Sequence, residues 1–128
     1  MTRKTINNIK ISVKTNFRED VSDLNHGSYL YNYRIVIQNL GMNEIQLLRR
    51  YWKIEHLNHG SSIVSGDGVV GQQPILKQYE VHEYISGCQI IVPIGRMSGF
   101  YTFQDLVTSE IFPVEIPPFQ LIYPAIMN

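Results

Sequence analysis

A chain of 128 residues with eleven basic and eleven acidic side chains carries no net charge; 44% of it is hydrophobic and 17% charged. That composition excludes a disordered chain, and it leaves no general electrostatic field for nucleic acid or an anionic membrane. The length fits one domain, read here as residues 1–128 with a core from about 5 to 126, which buries roughly two-thirds of its unfolded surface. Met1-Thr2-Arg3-Lys4 opens like a signal peptide, but Asn7, Asn8 and Lys10 interrupt any apolar run. No stretch approaches the ~20 apolar residues that cross a bilayer. The single cysteine, Cys88, excludes an internal disulfide and suits a reducing compartment, so a cytoplasmic location without membrane contact is expected.

Period-two alternation dominates the chain. Ile9, Ile11 and Val13 face one way and Lys10, Ser12 and Lys14 the other, as a half-buried strand requires. Residues 15–28 are polar and broken, and read as a long loop. A second strand carries Tyr31, Tyr33, Ile35 and Ile37 on one face, with Asn39-Leu40-Gly41 as the turn. The segment 43–56 fits two patterns. Asn43 and Gln46 suit a helix start with Ile45, Leu48 and Trp52 at helical spacing, while Leu48, Trp52 and Ile54 also share one strand face. The β surroundings favour the strand. His59-Gly60 turns the chain into a short strand at 61–65.

Residues 66–74 then read Gly66-Asp67-Gly68-Val69-Val70-Gly71-Gln72-Gln73-Pro74, a G-x-G-x-x-G spacing. In a dinucleotide-binding unit these glycines follow a strand and open a helix against a pyrophosphate. Here Pro74 sits three residues past Gly71 and no helical period follows, which excludes that unit and predicts a loop between strands. Further strands are expected at 78–85, 89–92, 97–106, 111–115 and 119–123. The six prolines are expected at strand ends or edges, where a missing amide costs little. Short strands separated by Gly and Pro predict an antiparallel β-sandwich of about seven or eight strands.

The G-x-G-V-V-G-x-Q-P stretch resembles the signature of the ApaG family, small bacterial proteins often encoded beside a dinucleoside polyphosphate hydrolase. Matches flank it in order: Gln46-Leu47, Arg50, Trp52, Ile54, then Glu80, Tyr84, Ser86 and Gly87. Pro93, Gly95, Met97, Gly99 and Tyr101 follow, and Phe112-x-Val114-x-Ile116-Pro117-x-Phe119 closes the series, so the resemblance runs from about Ile9 to Pro124. It implies a fibronectin type III-like or immunoglobulin-like sandwich and supports a strand at 43–56. It also implies protein binding, because eukaryotic relatives carry the domain in an F-box protein and in a polymerase-interacting protein.

The candidate ligand-binding residues are Gly66, Asp67, Gly68, Gly71, Gln73 and Arg50. Consecutive amides of a Gly-rich turn can form a concave anion site, for pyrophosphate or a dinucleoside polyphosphate. The plainer reading outweighs it: the glycines supply positive φ, Gln72 satisfies backbone groups, and the Asp67 carboxylate repels phosphate. Arg50 shares the expected core face with Leu48, Trp52 and Ile54, so it needs a partner, either Glu80 or Glu83 or a bound anion. His56 and His59 form an H-x-x-H across a strand end and a turn, which is no metal-ligand spacing, and His82 falls where the family usually places an aromatic. No metal is expected, although a link between some relatives and cobalt tolerance keeps His56, His59 and Asp67 as a weaker divalent-metal idea.

Nothing resembles a catalytic set. Cys88 shares a strand face with Ile90 and Val92 and reads as a buried thiol without a positioned base, so no enzyme and no cofactor are expected. Trp52 is expected at the centre of the core. Eight tyrosines and an edge strand at Phe119, Leu121 and Tyr123 suggest surfaces for other chains, as a monomer or a homodimer. The sequence therefore favours a non-catalytic module that binds a protein partner, with phosphate binding at the 66–71 loop as the alternative.

Overall fold

A computed structural model describes residues 2–127, with the side chains of residues 4 and 5 left aside. It contains nine strands: β1 (Thr2–Ile6), β2 (Ile9–Phe17), β3 (Tyr29–Asn39), β4 (Ile45–His56), β5 (Ser61–Asp67), β6 (Ile75–Leu76), β7 (Val81–Ile90), β8 (Ile94–Asp105) and β9 (Ile111–Ile122). Two short 3-10 turns sit at Leu24–His26 and Pro124–Met127. All pairings between strands are antiparallel. One sheet has the order β1-β2-β3-β7; the other runs β5-β4-β8-β9, with β6 also on β4. The two pack face to face as a sandwich, with β9 against β1 and β2 along one side. Among the described residues, no helix is long and apolar enough to cross a membrane.

The alternation seen in the sequence builds the core. Ile9, Ile11 and Val13 of β2 and Tyr31, Tyr33, Ile35 and Ile37 of β3 are buried from one sheet; Trp52, Met97, Tyr101, Phe103, Val114, Ile116, Phe119 and Leu121 are buried from the other. Trp52 is at the centre. Its ring meets Tyr33, Tyr101 and Phe119 edge-on, at centroid distances of 5.5, 6.3 and 5.8 Å.

Four details differ from the sequence reading. First, Thr2–Ile6 is a strand, joined to β2 by Asn7-Asn8 with φ of 51° and 61°. This two-residue turn needs positive φ at both positions, which asparagine tolerates, and it lies just ahead of the first alternating stretch. Second, the strands expected at 78–85 and 89–92 are one strand, β7, continuous through Gly87. Third, those expected at 111–115 and 119–123 are also one, β9, with Pro117 and Pro118 inside it. The register shifts there, so that both prolines face Ser98 alone: a bulge on an edge strand, where two absent amides break no ladder. Fourth, β4 is a strand with a register shift between Leu47 and Arg49. Leu48 is the extra residue, so the buried phase passes from Ile45 and Leu47 to Arg50, Trp52 and Ile54, and Leu48 does not share the Trp52 row.

Asn39 is the buried polar residue in this core, at 1% exposure. Its Nδ2 donates to the Asn43 and Leu76 carbonyls, each at 2.9 Å, and its Oδ1 accepts from the Gly41 amide at 2.9 Å. It thereby ties the end of β3 to β6 of the facing sheet. Asn39→Ala leaves these backbone groups unmatched and is expected to cost about 3 kcal/mol, or roughly 10 °C in Tm by calorimetry.

Candidate functional site

The glycine segment is a second small hairpin attached to β4. Val69 and Gln72 exchange both backbone hydrogen bonds, at 2.8 and 3.0 Å, around Val70-Gly71, whose φ angles are 47° and 74°. That is a two-residue turn of the I′ type, and Gly71 meets its positive-φ demand. Gly68 has φ of 61°, and a side chain there would run into the Gln72 carbonyl. The buried Val69 pins the loop to the core, while Val70 stands 63% exposed. A β-branched residue at positive φ is strained, and here the strained residue forms the loop tip.

The bulge in β4 holds this loop. The Leu48 carbonyl accepts from the Gly68 amide at 2.8 Å and from Gln73 Nε2 at 2.9 Å, and Gln46 Nε2 donates to the Gln73 carbonyl at 3.2 Å. Arg50 closes the arrangement. Its Nη1 donates to the carbonyls of Asp67 and Gly68, at 2.9 and 3.0 Å. The guanidinium lies over Gly66, where an added Cβ would be 3.1 Å from Nη1, so that glycine makes room for it. The carboxylates expected to pair with Arg50 are elsewhere: Glu80 Oε1 accepts from the Lys77 amide at 2.7 Å, and Glu83 pairs with Arg34. Backbone carbonyls take their place because the loop, left alone, would have carbonyls pointing inward without donors.

The structure therefore brings Arg50, Gly66, Asp67, Gly68 and Gln73 together, with Gly71 at the tip. The amides of Val69 and Gln72 are spent inside the loop, and that of Gly68 on the Leu48 carbonyl of β4. The Asp67 carboxylate is held outward by Arg49 Nη1 at 2.6 Å. His56 and His59 lie at the opposite end of the β4–β5 hairpin from Asp67, roughly 20 Å away along the strand. His56 Nδ1 accepts from the Ile91 amide at 3.2 Å. Among the described residues, no group of three His, Cys, Asp or Glu side chains is placed to hold a metal.

Behind Arg50 lies a polar cluster that sequence reasoning missed. Tyr84 and Tyr101, from facing sheets, share a hydrogen bond between their hydroxyls. Burial raises both phenols, and Arg50 acts against that rise. Tyr33 is likewise raised by burial, with Ser86 beside it and Arg50 opposing. The available signal was the inward phase of these tyrosines on three different strands, opposite an inward arginine. Cys88 is buried, and burial pushes its thiol up to about 11, which favours the protonated form at neutral pH.

These groups set an alkaline limit on stability. Burial pushes Cys88 from 9.0 to about 11 and Tyr31 from 10.0 to about 12. Both groups hold protons in the folded chain that the unfolded chain has already released, so folding is penalised as pH rises. Stability is intact below pH 9 and is expected to fall progressively between about 9 and 12. Tm measured against pH, with tyrosinate absorbance as a second signal, checks this, and Cys88→Ala removes the earliest part of the decline.

Comparison with known proteins places this geometry. The ApaG domain family matches residues 19–105. The protein ApaG of Shewanella woodyi is 41% identical over 122 residues, covering 94% of each chain. That of Sinorhizobium fredii is 37% identical over 128 residues, covering 100% of this chain and 98% of its own. The crystal structure of a putative ApaA protein from Bordetella pertussis superimposes with a TM-score of 0.87 at 35% identity, covering 91% of this chain and 94% of that one.

Proposed function

Because the chain belongs to the ApaG family, we propose that it is a non-catalytic binding module, a single domain over residues 1–128, that docks a protein partner on the outer face of its five-stranded sheet. One observation carries this reading. Tyr51 and Phe100 are stacked on that face, with centroids 4.9 Å apart and ring planes at 18°. Beside them opens a hollow of about 690 Å³ lined by Ile6, Ser98, Gly99, Phe100, Pro113 and Glu115. An aromatic pair at the rim of a mostly apolar depression, with a carboxylate nearby, is how protein interfaces concentrate their binding energy. The protonated Cys88 thiol fits a binding role better than a catalytic one. The double variant Tyr51→Ser/Phe100→Ser should keep the fold and lose the partner that the native chain captures from a lysate. Recovery of the same partner by both proteins would overturn the docking face.

A second reading is pyrophosphate or dinucleoside polyphosphate binding at the 66–71 loop. It is supported by Arg50, whose Nη1 bonds the loop, and by the Val70 and Gly71 amides at the tip. A ligand at a hundred times its Kd stabilises by about 2.7 kcal/mol, several degrees in a thermal-shift assay. Millimolar pyrophosphate producing no shift would remove this reading.

A further inference from the structure

The four outer strands of a two-sheet sandwich each offer an unpaired edge, and proteins blunt such edges with charges, prolines or bulges. Here β9 is blunted by Pro113, Pro117, Pro118 and its bulge, and β1 carries Arg3. β7 carries the Glu83–Arg34 ion pair and is weakened at Gly87. β5 carries one charge, Asp67 at its loop end, which is paired with Arg49, and it has no such device over the rest of its length. Its segment Ser61-Ser62-Ile63-Val64-Ser65 holds no charge and no proline, and all five residues are exposed, Ile63 at 51% and Val64 at 44%.

The hydrogen-bond phase of this edge follows from its ends. The His56 amide donates to the Gly60 carbonyl at 2.9 Å and the Gly68 amide donates to the Leu48 carbonyl at 2.8 Å, in line with the Trp52↔Val64 register. Residues 60, 62, 64, 66 and 68 therefore bond inward to β4, and the amides and carbonyls of Ser61, Ile63 and Ser65 point away from the sheet. Among the described residues, none pairs with them.

We propose that the β5 edge is a homodimerisation site, at which a second copy of this chain adds its own β5 antiparallel, with Ile63 facing Ile63 on the two-fold axis. Antiparallel pairing about Ile63 sets Ser61 opposite Ser65 in both directions, so every outward amide meets an outward carbonyl, about six bonds in all. The apolar side chain on the axis meets its own kind, and Ser62 faces Val64. Lys53, beside Ile63 on β4, is kept from its counterpart by the two intervening β5 strands. At the ends of the ladder, His59 of one copy approaches Asp67 of the other, an attractive pair that occurs twice. No like charges oppose one another in this register. The two five-stranded sheets become one continuous sheet. The buried area is that of a single short strand pair, below a standard interface, so the association is weak and depends on concentration. It is independent of the docking face on Tyr51 and Phe100, and either can fail alone.

Sedimentation velocity of the full chain between about 10 µM and 1 mM tests it, spanning the range where weak dimers titrate. The weight-average mass should climb towards twice the monomer value, and Ile63→Lys, which sets two ammonium groups on the axis, should hold it at the monomer. Ser65→Lys serves as a second disrupting variant, and the melting profile of each shows that the monomer is folded. Under mild oxidation Ile63→Cys should give a disulfide-linked dimer, because the opposed Cα atoms of a bonded pair lie about 5.5 Å apart, within disulfide range. Ser62→Cys, facing Val64, should cross-link much more slowly. A monomer mass at 1 mM, or equal cross-linking of Ile63→Cys and Ser62→Cys, overturns the proposal.

Discussion

The bulge at Leu48 is the constraint on which the polar half of this molecule depends. One additional residue in β4 reverses which side chains point inward, so a strand that begins by burying Ile45 and Leu47 ends by burying Trp52 and aiming Arg50 between the sheets. The same extra residue presents its carbonyl sideways, to the Gly68 amide and the Gln73 side chain. The loop and the arginine that fastens it are thus consequences of a single insertion in the ladder. In a strand that alternated without interruption from Leu47, Arg50 would turn to the outer face and Tyr51 to the inner one, and the loop carbonyls of Asp67 and Gly68 would lose this donor.

Even partly burying a guanidinium is costly unless its hydrogen bonds are met, and two carbonyls meet part of that cost. The rest falls on the neighbourhood. Tyr33, Tyr84 and Tyr101 put hydroxyl groups where a core of leucines would have none, and the Tyr84–Tyr101 bond crosses from one sheet to the other. The interior is therefore divided: aliphatic around Ile11, Ile35 and Leu121, polar and aromatic where β7 and β4 approach the loop. Tyr31, whose buried hydroxyl meets no hydrogen-bond partner among the described residues, shows that the division is imperfect.

Much of the fold was legible in the sequence because period-two burial leaves a direct trace. The rows of β2 and β3 were read as they stand, and Trp52 is where the alternation placed it. The glycine segment was correctly read as a loop between strands, since Pro74 stops a helix. What escaped were the interruptions. A bulge leaves no composition signal, so Leu48 was assigned to the wrong row, and Pro117-Pro118 read as a break when a bulge carries the strand through them. The partners of Arg50 were sought among carboxylates, because side-chain pairs can be named from sequence. Backbone acceptors supplied by a turn cannot be, until the turn is placed in space. The tyrosine cluster escaped for a similar reason, as each member was a core residue alone and a site only together.

The order in which the strands enter the two sheets has a kinetic consequence. The first sheet takes β1, β2 and β3 and then waits for β7; the second takes β4 and β5 and waits for β8 and β9. Neither half of the chain can complete a sheet, because the β3–β7 and β4–β8 ladders interleave along the sequence. Both need long loops closed before their bonds repay the lost chain entropy. Nascent chain leaving a ribosome must therefore keep β3 and β4 exposed until almost the whole polypeptide has emerged. Folding is expected on the slow, millisecond-to-second scale of sandwich proteins, with little stable structure formed before the end of synthesis.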